Sequence, residues 1–172
     1  MSKKYPRKIF SQPFLRGAAI FGVCLICCGI AGWVYTYRID HRTAPSLSAY
    51  CDIDFKSARD EKGRIASATL TLLDYRYSNT PLKPQLRLYI DGVAWDIDGT
   101  AKQLPPVYAL QSYDARTAFK NTNKLFVEFP PEALPEIKAA KEIRVQLTYE
   151  GSKPIDLPLN APDLDYWQKQ LQ

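Results

Sequence analysis

The sequence predicts a mainly β protein, with a single N-terminal transmembrane helix followed by an antiparallel β-sandwich-like domain that has one short internal helix and a C-terminal helix. First, an uncharged run of 21 residues, 17–37, separates a basic tail from a polar remainder. Second, apolar residues recur at every second position in seven stretches after residue 48, as in half-buried strands. The predicted divisions are a tail (1–16), the transmembrane helix (17–37), a linker (38–48) and an extracytoplasmic β-rich domain (49–172).

The run 17–37 has the length of a membrane-spanning helix. At about 1.5 Å per residue it covers roughly 31 Å, close to a hydrocarbon core of about 30 Å. Trp33, Tyr35 and Tyr37 stand at its end, where rings prefer the headgroup region. The apolar core of a signal peptide is only about 7 to 15 residues long, so the run predicts an uncleaved signal anchor. Cleavage near 46–48 and lipoprotein processing at 25–28 are the alternatives.

Charge predicts the orientation of this helix. The tail carries Lys3, Lys4, Arg7, Lys8 and Arg16 without an acid, whereas the other 18 basic residues are matched by 18 acidic ones. Lys and Arg near a span favour the cytoplasmic side, so we expect a single-pass protein of the inner (cytoplasmic) membrane, with its N-terminus cytoplasmic and its C-terminal domain periplasmic. The balanced remainder offers no basic footprint, which argues against nucleic-acid binding.

Small residues recur along the predicted span. Ala18 and Gly22 are four residues apart, as are Cys24, Cys28 and Gly32. Such spacing lets two helices approach closely, and it predicts pairing with a membrane protein, including a second copy of this chain. The alternative is that these short side chains face lipid. The span has no ionisable side chain, which argues against an ion or proton path.

The predicted β domain has eight or nine strands, with additional strands from Val107, Leu110 and the stretch around Phe119. Cys51 alternates with the apolar residues of the first stretch and is the only cysteine outside the span, so it is predicted to be a buried strand residue; an intermolecular disulfide is the alternative. The seven clear stretches are Cys51–Phe55, Ala68–Leu72, Leu86–Ile90, Val93–Ile97, Leu125–Phe129, Ile143–Leu147 and Ile155–Leu159.

The strongest local prediction is a hairpin around Asp91-Gly92, because both positions of a type I′ turn need residues that tolerate positive φ. In its register all six apolar residues share one face, and an opposite-charge pair lies on the other. The predicted pairs are Ile90 with Val93, Leu88 with Trp95, Leu86 with Ile97, and Arg87 with Asp96.

Helices and a second hairpin follow the strand that ends at Phe129. Residues 131–141 are predicted to form a short helix with acids early and lysines late. A turn near 151–153 precedes a strand whose Pro158 indicates a sheet edge. Asp163 is expected to cap a terminal helix that packs against the domain. Leu164, Trp167 and Leu171 share the predicted buried face of that helix.

The five residues from Asp96 to Thr100 read Asp-Ile-Asp-Gly-Thr, which resembles the first motif of the haloacid dehalogenase-like phosphatases. In that family the first aspartate is the nucleophile and the second an acid/base, so the resemblance implies a hydrolase using Asp96 and Asp98. Here the motif follows a hairpin turn instead of a buried parallel strand. His41 is the only histidine, which excludes Ser/His/Asp and His-rich metal sites. A non-enzyme without cofactor or metal is therefore expected.

Tyrosine and arginine, favoured at binding surfaces, gather on two stretches. If the strand at 68–72 continues without a bulge, Tyr75 and Tyr77 point outward, as Arg87 and Tyr89 do in the hairpin. A bulge at 72–73 would bury both tyrosines instead. The leading functional hypothesis is a membrane-anchored binding or scaffolding protein, an accessory component of a cell-envelope assembly, with the lipid bilayer and a membrane or envelope protein as partners. The alternatives are the hydrolase and a small-ligand-binding β domain.

Overall fold

The computed structural model describes residues 12–106 and 120–172, with side chains from Arg16 onward, and divides into two compact units. The first, residues 1–39, contains nearly all of helix α1, Gln12–Asp40. Within Arg16–Asp40, a window of 18 residues has a mean hydropathy of 2.2, and none of that window is buried within the chain. One helix is thus long and apolar enough to span a membrane, as predicted for 17–37.

In its described residues, the second unit, 40–172, is one curled antiparallel sheet with three short helices. The strand order is β1-β2-β5-β4-β3-β6-β7, which confirms the predicted mainly β class. The expected strands around Val107, Leu110 and Phe119 lie outside the described residues. The elements are α2 Leu47–Tyr50, β1 Asp52–Arg59, β2 Ile65–Arg76, β3 Gln85–Ile90, β4 Val93–Leu104, β5 Asn121–Phe129, α3 Ala133–Ala139, β6 Ile143–Leu147, β7 Ile155–Pro158 and α4 Ala161–Gln170.

The sheet changes partners along β4. Residues 93–98 pair with β3, whereas residues 99–104 pair with β5. Gly99 lies at the change, and its N–H donates to the Pro84 carbonyl at 2.7 Å. A Cβ added at Gly99 would lie 2.5 Å from the Phe126 carbonyl oxygen, so only glycine lets the backbones approach this closely.

The predicted hairpin is confirmed pair by pair. Asp91 has φ 47° and Gly92 has φ 87°, the positive values that a type I′ turn requires. Of the six apolar residues on its inner face, four are buried, Trp95 is half-buried, and Val93 beside the turn is 61% exposed. The Asp91 carboxylate also accepts the backbone N–H groups of Lys141 and Glu142, which ties the turn to the start of β6.

Helix α4 closes one part of the core with an aromatic cluster. Trp167 stacks on Phe55 with ring centroids 4.4 Å apart, and Phe129 meets both rings at 5.7 and 5.9 Å. The predicted cap at Asp163 is wrong: the helix begins earlier, and the Asn160 side chain accepts the Asp163 N–H at 2.8 Å. Leu171 is buried, so the C-terminal helix docks as predicted.

Residues near the N-terminal boundary of this unit pack into it. Within the segment predicted as a linker, 38–48, Asp40, Ser46 and Leu47 are buried, and the Ser46 hydroxyl caps α2. Cys51 is buried with a free thiol directly before β1. Burial raises the pKa of this thiol, and the Asp74 carboxylate raises it further, so Cys51 stays protonated. At the other edge of the sheet, Pro158 lies in the terminal strand β7, as predicted.

Candidate functional site

A network of buried charged side chains lies at the end of β2. Asp74 and Arg76 are 1% and 6% exposed and lie on the face of β2 that packs against the core. Tyr50 and Tyr149 are buried beside them, and Arg42 is partly buried. These five residues, Arg42, Tyr50, Asp74, Arg76 and Tyr149, are called the charge network below.

The strand periodicity that buries Leu70 and Leu72 also buries Asp74 and Arg76, because every second residue of β2 faces the core. Its pairing with β5 runs without a shift from Ala68 to Arg76. Sequence reasoning missed both residues because the apolar alternation ends at Leu72. Continuing the same period by four residues would have found them.

The Asp74 carboxylate is the centre of the charge network. It accepts hydrogen bonds from Arg42 and from the Tyr149 hydroxyl, and its Oδ2 lies 3.3 Å from Nε of Arg76. The Cζ of Arg76 lies 3.7 Å from the centre of the Tyr149 ring, and that of Arg42 lies 4.2 Å from the Tyr50 ring. Each guanidinium therefore has an opposite charge and an aromatic face.

The charge network holds Arg42, Tyr50 and Tyr149 in fixed protonation states. Burial raises the pKa of Tyr149, and the Asp74 carboxylate beside it raises it further. The pKa of Tyr50 is raised for the same reasons. Burial alone would lower the pKa of Arg42, but attraction to Asp74 outweighs burial and the pKa is raised. Both phenols stay protonated and Arg42 stays charged, so these groups are poor acid–base catalysts near neutral pH.

Asp40 extends the network. Its carboxylate accepts the backbone N–H groups of Tyr77 and Ser78, both at 2.7 Å, and its carbonyl accepts a hydrogen bond from Arg76. Because Asp40 ends α1, that carbonyl lacks a partner within the helix. Arg76 thus connects Asp74 with the first residue of the second unit.

A surface cleft of about 490 Å³ opens beside the charge network. Arg42, Arg76 and Tyr149 form part of its wall, together with the turn and strand from Ser152 to Leu157. Asp156 on this wall pairs with Arg144 at 2.5 Å, whereas Lys153 forms no ion pair within the described part of the chain. Charged side chains such as Lys153 share the lining with apolar surface from Ile155 and Leu157.

The four residues of the predicted tyrosine and arginine surface lie on two separate strands. Tyr75 and Tyr77 lie at and just after the end of β2, whereas Arg87 and Tyr89 lie on β3, with β5 and β4 between them. Across two intervening strands the separation is roughly 14 Å. Tyr75 donates to Asp52 at 3.0 Å. Tyr89 borders a cavity of about 220 Å³, so the structure brings together pairs rather than all four residues.

Asp96 and Asp98 lie on the exposed face of β4. Arg87 donates to both oxygens of Asp96 at 2.5 and 3.0 Å, and this hydrogen bonding lowers the pKa of Asp96. Asp98 is on an open groove with Glu128. Within residues 12–106 and 120–172, no group of three or more His, Cys, Asp or Glu side chains is arranged to hold a metal ion.

The predicted helix-pairing residues all lie on α1 and, apart from the partly buried Gly22, are exposed in the single chain; they are Ala18, Gly22, Cys24, Cys28 and Gly32. A Cβ added at Gly22 or Gly32 would meet nothing within 4 Å. Space for a neighbouring helix is therefore available along this face, and pairing stays a prediction.

No protein-family model and no curated protein matches this chain. Its function is therefore inferred from its own residues.

Proposed function

We propose that this chain is a single-pass membrane-anchored binding or scaffolding protein, an accessory component of a cell-envelope assembly. The observation that carries the proposal is the exposure of α1: its large apolar side chains, among them Ile20, Phe21, Leu25 and Ile26, are 57–66% exposed in the single chain. Such a surface needs lipid or protein to cover it. The proposal places the basic tail in the cytoplasm and the β unit outside it, in accord with the charge asymmetry.

The disposition of charged groups favours binding over catalysis. The buried charges of the network satisfy one another, and Arg87 holds Asp96 as a hydrogen-bonded carboxylate. A catalytic residue needs free reach to a substrate and a pKa near the working pH. Partly exposed side chains with a large ring and a polar atom, such as Tyr77 and Tyr89, are instead suited to contact another protein.

The hydrolase is the second candidate, because Asp96, Asp98 and Glu128 line the same groove of about 410 Å³. A phosphatase assay on the full chain in detergent tests it, with Asp96→Asn and Asp98→Asn as variants and Glu61→Gln as the matched surface control. Turnover that Asp96→Asn abolishes and Glu61→Gln leaves intact would favour the enzyme over the scaffold.

Topology and anchoring are tested in intact cells. A C-terminal reporter enzyme that is active only outside the cytoplasm should be active, and the full chain should stay with the membrane after alkaline carbonate washing. A chain released by carbonate, or a reporter active only in the cytoplasm, would overturn the anchored orientation.

Partner binding is tested by photocrosslinking in membranes. A photoreactive amino acid replaces Tyr77 or Tyr89 in the full chain, and it replaces Lys62, in the turn between β1 and β2, as the control. A discrete crosslinked species from Tyr77 or Tyr89, absent with Lys62, supports scaffolding. The same faint smear from all three positions would contradict it at these surfaces.

A further inference from the structure

The first half of β4 has one unpaired edge. Residues 93–98 pair with β3 on one side, and pairing with β5 on the other side begins only at Gly99. No strand within the described ranges pairs with this second side. The unpaired backbone extends over Ala94–Ile97, because the pairing of Gly99 with Val127 places Glu128 of β5 opposite Asp98; this segment is called the β4 edge below.

The hairpin decides which backbone groups the β4 edge presents. Ile90 and Val93 flank the two-residue turn, and the Gly99 N–H donates to Pro84 on the β3 side. In an antiparallel ladder alternate residues direct both backbone groups to the same neighbour. Odd-numbered residues of this half therefore face β3, and Ala94 and Asp96 direct their N–H and C=O groups to the open side, whereas Asp98 faces Glu128 of β5.

The groove beside the β4 edge lies where a further strand of the sheet could run. The strand β5 ends at Phe129 because Pro130 and Pro131 cannot continue the ladder. Beyond that point β2, the neighbour of β5 on its other side, continues back to Ile65. Ala66 and Ser67 of β2, residues 96–98 of β4 and residues 128–131 at the end of β5 line one groove of about 410 Å³. One more extended chain would follow the line that β5 leaves.

Charge indicates what kind of chain fits. Asp96, Asp98 and Glu128 line the groove, and no basic side chain does so within the described part of the molecule. Like charges directly opposite each other destabilise strand pairing, so a second copy of the β4 edge would be repelled. A segment with Lys or Arg at alternate positions would place opposite charges across the pairing.

The two outer edges of the sheet are protected against such pairing. In β7 the Leu159 N–H donates to Ile143 in β6, so the alternate positions 154, 156 and 158 face outward. Two of these, Pro154 and Pro158, have no N–H to donate. On β1 the Tyr166 hydroxyl of α4 reaches the Phe55 carbonyl at 3.4 Å. The β4 edge has neither prolines nor a covering helix among the described residues.

We propose that the β4 edge binds an extended, basic peptide segment of a partner protein by strand addition. This deepens the proposed binding function, on which it depends, by naming a docking edge and the chemistry of its partner. Backbone hydrogen bonds to Ala94 and Asp96 would supply affinity, and the carboxylates of Asp98 and Glu128 would select basic side chains, because Arg87 already pairs with Asp96.

The test uses the full chain in a zwitterionic detergent and three blocked hexapeptides: Lys-Val repeats, Glu-Val repeats, and Lys-Val repeats with N-methyl groups at alternate residues. The unmodified Lys-Val peptide should slow hydrogen exchange of the Ala94 and Asp96 amides about tenfold or more at saturation. The amides of Val93, Trp95 and Ile97, already directed to β3, should change little. The N-methylated peptide keeps its charge but loses donors, so it should not protect the edge.

Ala94→Pro removes one backbone donor on the open side of β4, and Ala94→Val is the matched control that keeps it. Loss of a hydrogen bond predicts about tenfold weaker binding for the proline variant, with the valine variant within about twofold. The hairpin cross-peaks confirm that each variant is folded. Equal binding of the N-methylated peptide, or no edge protection by any peptide, would overturn strand addition. In that case a crosslinked partner at Tyr77 or Tyr89 would still support scaffolding through another face.

Discussion

Replacing Asp74 with Asn tests the charge network directly. The substitution keeps the size of the side chain and an acceptor for Tyr149, but removes the negative charge between Arg42 and Arg76. Arg76 is 6% exposed and cannot reach water, whereas Arg42 is partly exposed and can turn outward. Breaking a buried ion pair by removing one partner costs about 3–5 kcal/mol. We expect a loss near the lower end, about 3 kcal/mol, because one of the two arginines can be resolvated.

The assay is urea unfolding of the full chain in detergent, followed by near-ultraviolet circular dichroism of the aromatic cluster around Trp167. The matched control is Asp156→Asn, whose carboxylate pairs with Arg144 at the surface and should contribute below about 1 kcal/mol. Combining Asp74→Leu with Arg76→Met should cost at least about 2 kcal/mol less than the two single changes added together. If Asp74→Asn loses no more than the control, the network is not the stabilising element inferred here.

Three further predictions concern the interior. The pKa values of Tyr50, Tyr149 and Cys51 are raised in the folded state, so above about pH 9 the unfolded chain releases protons that the folded chain retains. Stability should therefore fall by up to about 1.4 kcal/mol per pH unit per group. Urea titrations to pH 11 check this, and Tyr149→Phe should make the fall of stability with pH less steep. Gly99→Ala should lower the free energy of unfolding by about 1–3 kcal/mol because its Cβ would meet the Phe126 carbonyl, and Thr100→Ala is the control. An equal urea midpoint for the two variants would contradict the close approach of the backbones at Gly99. The buried Trp167 indole N–H has no partner among the described residues. In thermal unfolding, Trp167→Ala should therefore lower the stability by about 3–5 kcal/mol and Trp167→Phe by clearly less. Equal losses of stability would show that the N–H matters.

Local features were predictable because their determinants are adjacent in the chain. The hairpin at Asp91-Gly92 follows from a turn dipeptide and flanking alternation, and its whole register was correct. The docking of α4 follows from apolar residues spaced along one helix face. The cap was wrong because Asn160 and Asp163 are both good capping residues, and Pro162 at the second helical position favours the earlier start.

The charge network and the β4 edge depend on contacts that are distant in the sequence. Asp74 meets Arg42 across 32 positions and Tyr149 across 75, and no local pattern encodes either meeting. The local sequence around a polar residue at the end of a strand does not show whether that residue is buried or solvated. The unpaired side of β4 likewise depends on where β5 ends, which local periodicity does not specify. The chain's own topology therefore decides which charges are internal.

That distinction separates structural charges from charges available to a partner. Asp74 has its counter-charges and a phenol within the unit, so a ligand would have to displace bonds that the fold already makes. Asp98 and Glu128 line a groove without a basic side chain among the described residues, and a basic segment would add ion pairs without breaking any. Burying an ion pair removes water from both charges, which costs free energy, whereas forming an ion pair at the surface costs little. Binding energy is therefore available at the β4 edge rather than at the charge network, although the network contains the more deeply buried charges.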